Sequence, residues 1–255
     1  MLRFANISLG SGGLPSCARC AEPAAASPRP AADVVADSVA QIVAWDATTG
    51  GPGPNIALAG MDAFDHPNLP EVLLPLMDLP VERIRLTTSG AALAAHDNAR
   101  GCLGAGARHI EIVVLGGRET HEELTGGPGA FDRAAAGVAR FRSEAAAAHL
   151  DVAVSGFVPV CRHNLESTAE AVLELARMGA TVVTLDLSEA AAKSVAAPKA
   201  IAVAVETGVV HGTWVTVVGL ESGASFSRLH AIAPAATEPA TLAAPAAPAD
   251  PGEPS

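Results

Sequence analysis

Short Val/Ile/Leu-rich runs alternate with longer, Ala-rich stretches along most of this chain, and this alternation constrains its fold more than any other feature. The runs Leu2–Leu9, Asn55–Ala59, Arg83–Thr88, Ile110–Leu115, Asp151–Val158, Thr181–Leu187 and Thr213–Leu220 read as strands. In Arg83–Thr88 the apolar Ile84 and Leu86 alternate with Arg83 and Arg85. Between the runs lie helical patterns at Ala32–Thr48, at Leu69–Asp78 (interrupted at Pro75) and at Ala91–Leu103. Further helices are expected at Phe131–His149, from Asn164 or Ser167 to Gly179, and at Ala190–Glu206, where Pro198 limits the length.

Strand and helix repeating every 25–35 residues or so imply parallel strands joined by right-handed crossovers. The expected class is α/β, a partial (β/α) TIM-type barrel of about six βα units. A doubly wound open sheet gives the same alternation and stays open as the alternative. At 255 residues the chain has room for one barrel-sized domain, expected over residues 1–232. Aromatic residues are only 3% and Tyr is absent, so alanine-faced helices must pack on an aliphatic sheet. The Gly50-Gly51-Pro52-Gly53-Pro54 run is a strong breaker. Residues 233–255 are mostly Ala and Pro with a few acidic residues and no Lys or Arg, and read as a disordered tail.

A net charge of −11 argues against nucleic acid or an anionic lipid surface as the main partner. No run of about 18 apolar residues is present, so no membrane span is expected. Met1–Gly10 lacks the apolar core of a signal peptide. Four Cys, two of them three apart, suit a reducing cytoplasm better than a disulfide scaffold.

Several landmarks occur in a telling order. The first strand leads into Gly10-Ser11-Gly12-Gly13-Leu14-Pro15-Ser16-Cys17-Ala18-Arg19-Cys20. Ala59-Gly60-Met61-Asp62 precedes the turn His66-Pro67-Asn68-Leu69, and Thr87-Thr88-Ser89-Gly90 ends the third strand. Val114-Leu115-Gly116-Gly117 is followed by Thr120-His121-Glu122-Glu123-Leu124-Thr125-Gly126, and Arg162-His163-Asn164-Leu165-Glu166 follows the fifth strand. This order resembles the radical S-adenosylmethionine (radical SAM) superfamily, and its peptide-modifying members in particular, from about Arg3 to Leu187.

The resemblance implies a four-iron, four-sulfur (4Fe–4S) cluster held by three thiolates spaced C-x3-C-x2-C, with S-adenosylmethionine on the remaining iron. Cys17 and Cys20 match the last two positions, while Gly13 stands where the first Cys belongs and offers no ligand. The family's acidic residue, which takes hydrogen bonds from the methionyl ammonium, is replaced by Met61. Losing such a charge-assisted bond costs about 1.5–3 kcal/mol. Asp62 is its nearest substitute, and Gly60 and Ser89 complete the expected cosubstrate side. Val114 and Gly116 remove further polar groups from the mouth. Cys161, past the fifth strand, is the candidate replacement for the missing thiolate.

The expected function is thus a radical SAM-like protein with an eroded cluster motif and weak or absent radical activity. The alternative is a non-catalytic pseudoenzyme that binds a peptide or protein partner. An unrelated α/β-barrel enzyme is a third reading, though no polar cluster at the strand ends marks it. Other residues read as structural: Cys102 in the core, His66 in a turn, His109 at a strand start, and Trp45 and Trp214 against the barrel. His121 with Glu122 and Glu123 reads as part of a solvated loop. The glycines at 10, 12 and 13 are no phosphate cradle, because Leu14-Pro15 follows instead of a helix start.

Overall fold

The structure, a computed structural model, describes residues 4–19, 25–49 and 55–219. Cys20, the Gly50–Pro54 breaker and the expected tail lie outside the described residues. Among the described residues eight strands form one sheet: β1 (Phe4–Gly12), β2 (Ser27–Pro28), β3 (Asn55–Met61), β4 (Arg83–Thr88), β5 (His109–Val113), β6 (Ala153–Val160), β7 (Val182–Leu187) and β8 (Trp214–Val218). Their spatial order is β2-β1-β3-β4-β5-β6-β7-β8. Only the two-residue β2 is antiparallel; every other neighbouring pair is parallel.

Because each new parallel strand is added on the same side of the last, right-handed crossovers place the helices on one face of the sheet. A doubly wound sheet would reverse direction partway, and no reversal occurs. The sheet is the open, singly wound kind, a partial barrel with edges at β2 and β8. The crossovers are α1 (Ala31–Thr49), α2 (Leu69–Met77), α3 (His96–Gly104), α4 (Arg118–Thr125) with α5 (Ala130–Ala147), α6 (Thr168–Arg177), and α7 (Glu189–Ala192) with α8 (Ala197–Val210). They make six βα units, as the sequence leads one to expect.

The strand register separates two chemistries. Ile7, Leu9, Ile56, Leu58, Ile84, Leu86, Ile110, Ile112, Val154, Val183 and Leu185 form the buried apolar set, which faces the helices. Gly156 belongs to that face, since a Cβ there would lie 2.4 Å from Leu175 of α6. The alternate positions carry polar groups: Arg85 Nη1 meets Glu111 Oε1 at 2.9 Å, and Thr87 donates to Glu111 at 3.2 Å. His109 Nε2 lies 2.9 Å from the Ser155 hydroxyl on the same face. His109 is structural, as expected from its place at the start of a strand.

Four local expectations are corrected. Thr120–Gly126 is no solvated loop: Arg118–Thr125 form helix α4, and His121 is buried. The stretch after β4 divides into a 3-10 turn at Ala91–Ala94 and α3, because Ala95 is extended at ψ 129°. Pro198 sits in the first turn of α8 and starts that helix instead of limiting it, since proline lacks an N–H that this turn leaves unpaired anyway. Trp214 is exposed on the edge strand β8 instead of packing inward.

Candidate functional site at the strand exits

In parallel α/β sheets ligands gather at the carboxyl ends of the strands, where loops and helix N-termini converge. In this chain β1, β3 and β4 leave the sheet side by side. Gly60 has φ +91°, and a Cβ on it would lie 2.4 Å from the Gly10 carbonyl oxygen. Only glycine lets the exits of β1 and β3 approach so closely.

Asp62 is buried and fully engaged. Its Oδ1 accepts the Thr88 hydroxyl at 2.8 Å and the Phe64 N–H at 3.1 Å, and its Oδ2 accepts the Ser89 N–H at 2.7 Å. Gly60 and Asp62 lie at the exit of β3 and Ser89 at the adjacent exit of β4. Asp62 acts there by holding Ser89 and by capping the 3-10 turn Ala63–Asp65. Met61, the residue before Asp62, is completely buried.

Asp65, at the end of that turn, was not singled out from the sequence. A Cβ built on Gly13 would lie 2.7 Å from Asp65 Oδ2 and 3.6 Å from the Asp62 nitrogen. Gly13 itself has φ +76°. Burial, and then the neighbouring Asp62, raise the Asp65 carboxyl above its ordinary value. Among the described residues no hydrogen bond or ion pair reaches the Asp65 carboxylate. The only sequence signal for it is the Asp62-x-x-Asp65 spacing after a strand, which is common in turns.

The loop after β1 crosses towards the exit of β5. Ala18 N donates to Leu124 O of α4 at 3.0 Å, and Arg19 pairs with Glu123. Cys17, half-buried, lies on this crossing segment. At the exit of β5, His121 Nδ1 accepts the Leu115 N–H at 3.1 Å, which fixes the proton on Nε2. Burial lowers its pKa to about 4, and Phe131 stands edge-on at 5.9 Å. Gly117 N donates to Ser167 Oγ at 2.9 Å.

Cys161 follows β6, the next strand in the sheet, and its N–H donates to Asn164 Oδ1 at 2.7 Å. His163 accepts from Arg162 Nε at 3.1 Å. Cys102 is buried in α3, and burial raises its thiol to about 12, so it is a core residue. His66 is a turn residue: Nδ1 accepts from Asn68 N at 3.2 Å and Nε2 donates to Arg29 O at 2.8 Å.

Among the described residues no three His, Cys, Asp or Glu side chains stand close enough together to hold a metal ion. Cys20, the third expected thiolate beside Cys17 and Cys161, lies outside them. With glycine at position 13 and Cys102 in the core, the donor set does not fit three thiolates in the C-x3-C-x2-C pattern.

No family model and no curated protein matches the chain. Solved structures do. SuiB of Streptococcus suis bound to S-adenosylmethionine is 12% identical with a TM-score of 0.58, over 86% of this chain and 50% of that one. SuiB bound to the precursor peptide SuiA is 12% identical with a TM-score of 0.52, over 75% and 40%. The radical S-adenosylmethionine methyltransferase TsrM of Kitasatospora setae, with cobalamin and a [4Fe-4S] cluster, is 18% identical with a TM-score of 0.46, over 72% and 36%. The chain spans about half the length of SuiB or less. What is shared at such identity is the fold: an open, singly wound (β/α) sheet in common with a protein solved in complex with S-adenosylmethionine.

Proposed function

We propose that this chain is a radical SAM-like protein of the reducing cytoplasm, with an altered iron–sulfur site and weak or absent radical activity. The observation that supports this most is the loop after β1: it leaves the strand at Gly12 and crosses the exits to α4, carrying Cys17. In the proposed site Cys17, Cys20 and Cys161 are the thiolate donors. Gly60 and Ser89 form the cosubstrate side, and Asp62 fixes the position of Ser89. A bound cluster would supply the electron that cleaves S-adenosylmethionine.

A second reading is favoured by two observations, glycine at position 13 and a completely buried Met61 at the acidic position. In it the barrel serves as a non-catalytic partner for a peptide or protein, and the acidic composition keeps it off nucleic acid. The anaerobically reconstituted chain, reduced with dithionite in the presence of S-adenosylmethionine, separates the two. Bound iron, sulfide and S-adenosylmethionine, with or without 5′-deoxyadenosine, support the first reading. Absence of both iron and cosubstrate overturns the first and leaves the second.

A further inference from the structure

We propose that the cleft between α5 and α6, on the helical face of the sheet, docks an acidic, amphipathic peptide segment of a partner protein. The inference goes beyond the reading of the strand exits, since no residue of the cleft belongs to that site. Neighbouring helices of a layer ordinarily close on one another with interdigitated side chains. Here α5 packs on α3 and α6 on α8, yet α5 and α6, the crossovers on either side of β6, hardly meet. Ala135 and Ala139, one turn apart on α5, offer only methyl groups to the gap, and a cleft of about 270 Å³ stays open. Its floor is apolar: Phe131 and Val138 are each 1% exposed, and Met178 is 9% exposed. Cofactor pockets usually run from about 300 to 1,000 Å³, so this one suits one or two side chains of a peptide.

The rim is basic in an acidic chain. Arg118, Arg142 and Arg177 line the cleft against a single carboxylate, Glu174, although the chain as a whole carries a net charge of −11. Arg118 stands 5.1 Å over the Phe131 ring and pairs with Asp132, and Arg177 pairs with Glu174 at 2.7 Å. Arg142 is the surplus cation. Its Nη1 donates to the Met178 carbonyl at 3.2 Å, and a Cβ on Gly179 would lie 2.5 Å from the same nitrogen, so the glycine gives the guanidinium its seat. A fixed guanidinium beside an apolar floor complements a carboxylate with apolar neighbours. The charge of the whole chain repels a polyanion such as nucleic acid or an anionic bilayer, so the occupant is a short segment with few carboxylates.

Panning a random dodecapeptide library on the full chain, followed by fluorescence anisotropy of the enriched peptides, tests this. The enriched peptides are expected to join Asp or Glu to Leu, Ile or Phe. Their affinity should fall about tenfold or more in Arg142→Glu and in Arg177→Glu. Ala139→Leu, which fills the cleft without touching a charge, should weaken them as much. Ala139 is exposed, so that variant keeps its fold, as thermal melting checks. No enrichment of acidic peptides, or equal binding by the wild type and all three variants, overturns the inference. So does binding to phosphatidylglycerol vesicles in place of peptides, or self-association of the chain that Ala139→Leu abolishes. The iron-free chain serves as well as the reconstituted one, so failure here leaves the reading of the strand exits untouched.

Discussion

The Asp62 carboxylate accepts the backbone N–H of Ser89 at 2.7 Å, so one buried side chain just past β3 fixes the exit of β4. The same carboxylate takes the Thr88 hydroxyl and caps the turn that carries Asp65. Replacing it by alanine leaves three donors without an acceptor. Asp62→Ala is expected to cost about 3 kcal/mol or more, since each buried unsatisfied donor costs about 1–3 kcal/mol. Urea denaturation checks this; a loss below about 1 kcal/mol would contradict the account.

Arg85 and Glu111 pair on the polar face with side-chain exposures of 18% and 7%. Burial raises the Glu111 carboxyl, against the opposing effects of Arg85 and Thr87. Glu111→Ala leaves a buried guanidinium without its carboxylate partner and is expected to destabilise by about 3–5 kcal/mol. The double variant Arg85→Met/Glu111→Leu should recover most of that loss. Equal losses in single and double variants would show that packing, not charge, governs the site.

His109 and His121 fold as neutral imidazoles. Burial, then Arg85 and Arg83, lower His109 to about 3, and burial chiefly lowers His121 to about 4. In the unfolded chain both titrate near 6.5. Between these values the unfolded state binds more protons, so stability is full above about pH 6.5 and falls with pH. By pH 5.5 the loss is roughly 1.4 kcal/mol per histidine. Denaturation at pH 7.5 and 5.5 measures it, and His109→Asn and His121→Asn should each reduce the pH dependence. An unchanged slope in both variants would refute the assignment.

Gly137 of α5 lies against the exit of β4, where an added Cβ would sit 1.8 Å from the Gly90 carbonyl oxygen. Neither backbone can yield cheaply, so Gly137→Ala is expected to cost about 1–3 kcal/mol despite alanine's better helix propensity. Thermal melting gives the sign directly, and a stabilised variant would mean that α5 moves without cost.

Much of this architecture is legible in the sequence because the two faces of each strand differ so sharply. Arg83–Thr88 shows the alternation outright, and β4 spans those same residues. Gly179, read as a helix end, has φ +92° after α6. Helix α4 is illegible because only eight residues carry it and its inner side is little more than His121 and Leu124. The proposed cosubstrate side is legible only in part. Asp62 and Ser89 can be placed at neighbouring strand ends, but their direct bond depends on the exact height of two exits. Asp65 is hidden for a different reason: its position beside Gly13 arises from a turn conformation and a left-handed glycine, neither of which has a periodic signature.

The most direct measurement is the iron and acid-labile sulfide content per chain after anaerobic reconstitution, for the wild type beside Cys17→Ala and Cys161→Ala. The account predicts a brown wild-type protein with bound iron and sulfide, and a sharp loss of both in Cys17→Ala. Unchanged content in Cys161→Ala would remove that residue from the donor set. A colourless wild-type chain that gains no iron would contradict the iron–sulfur reading, which is the account's central claim, and leave the non-catalytic one.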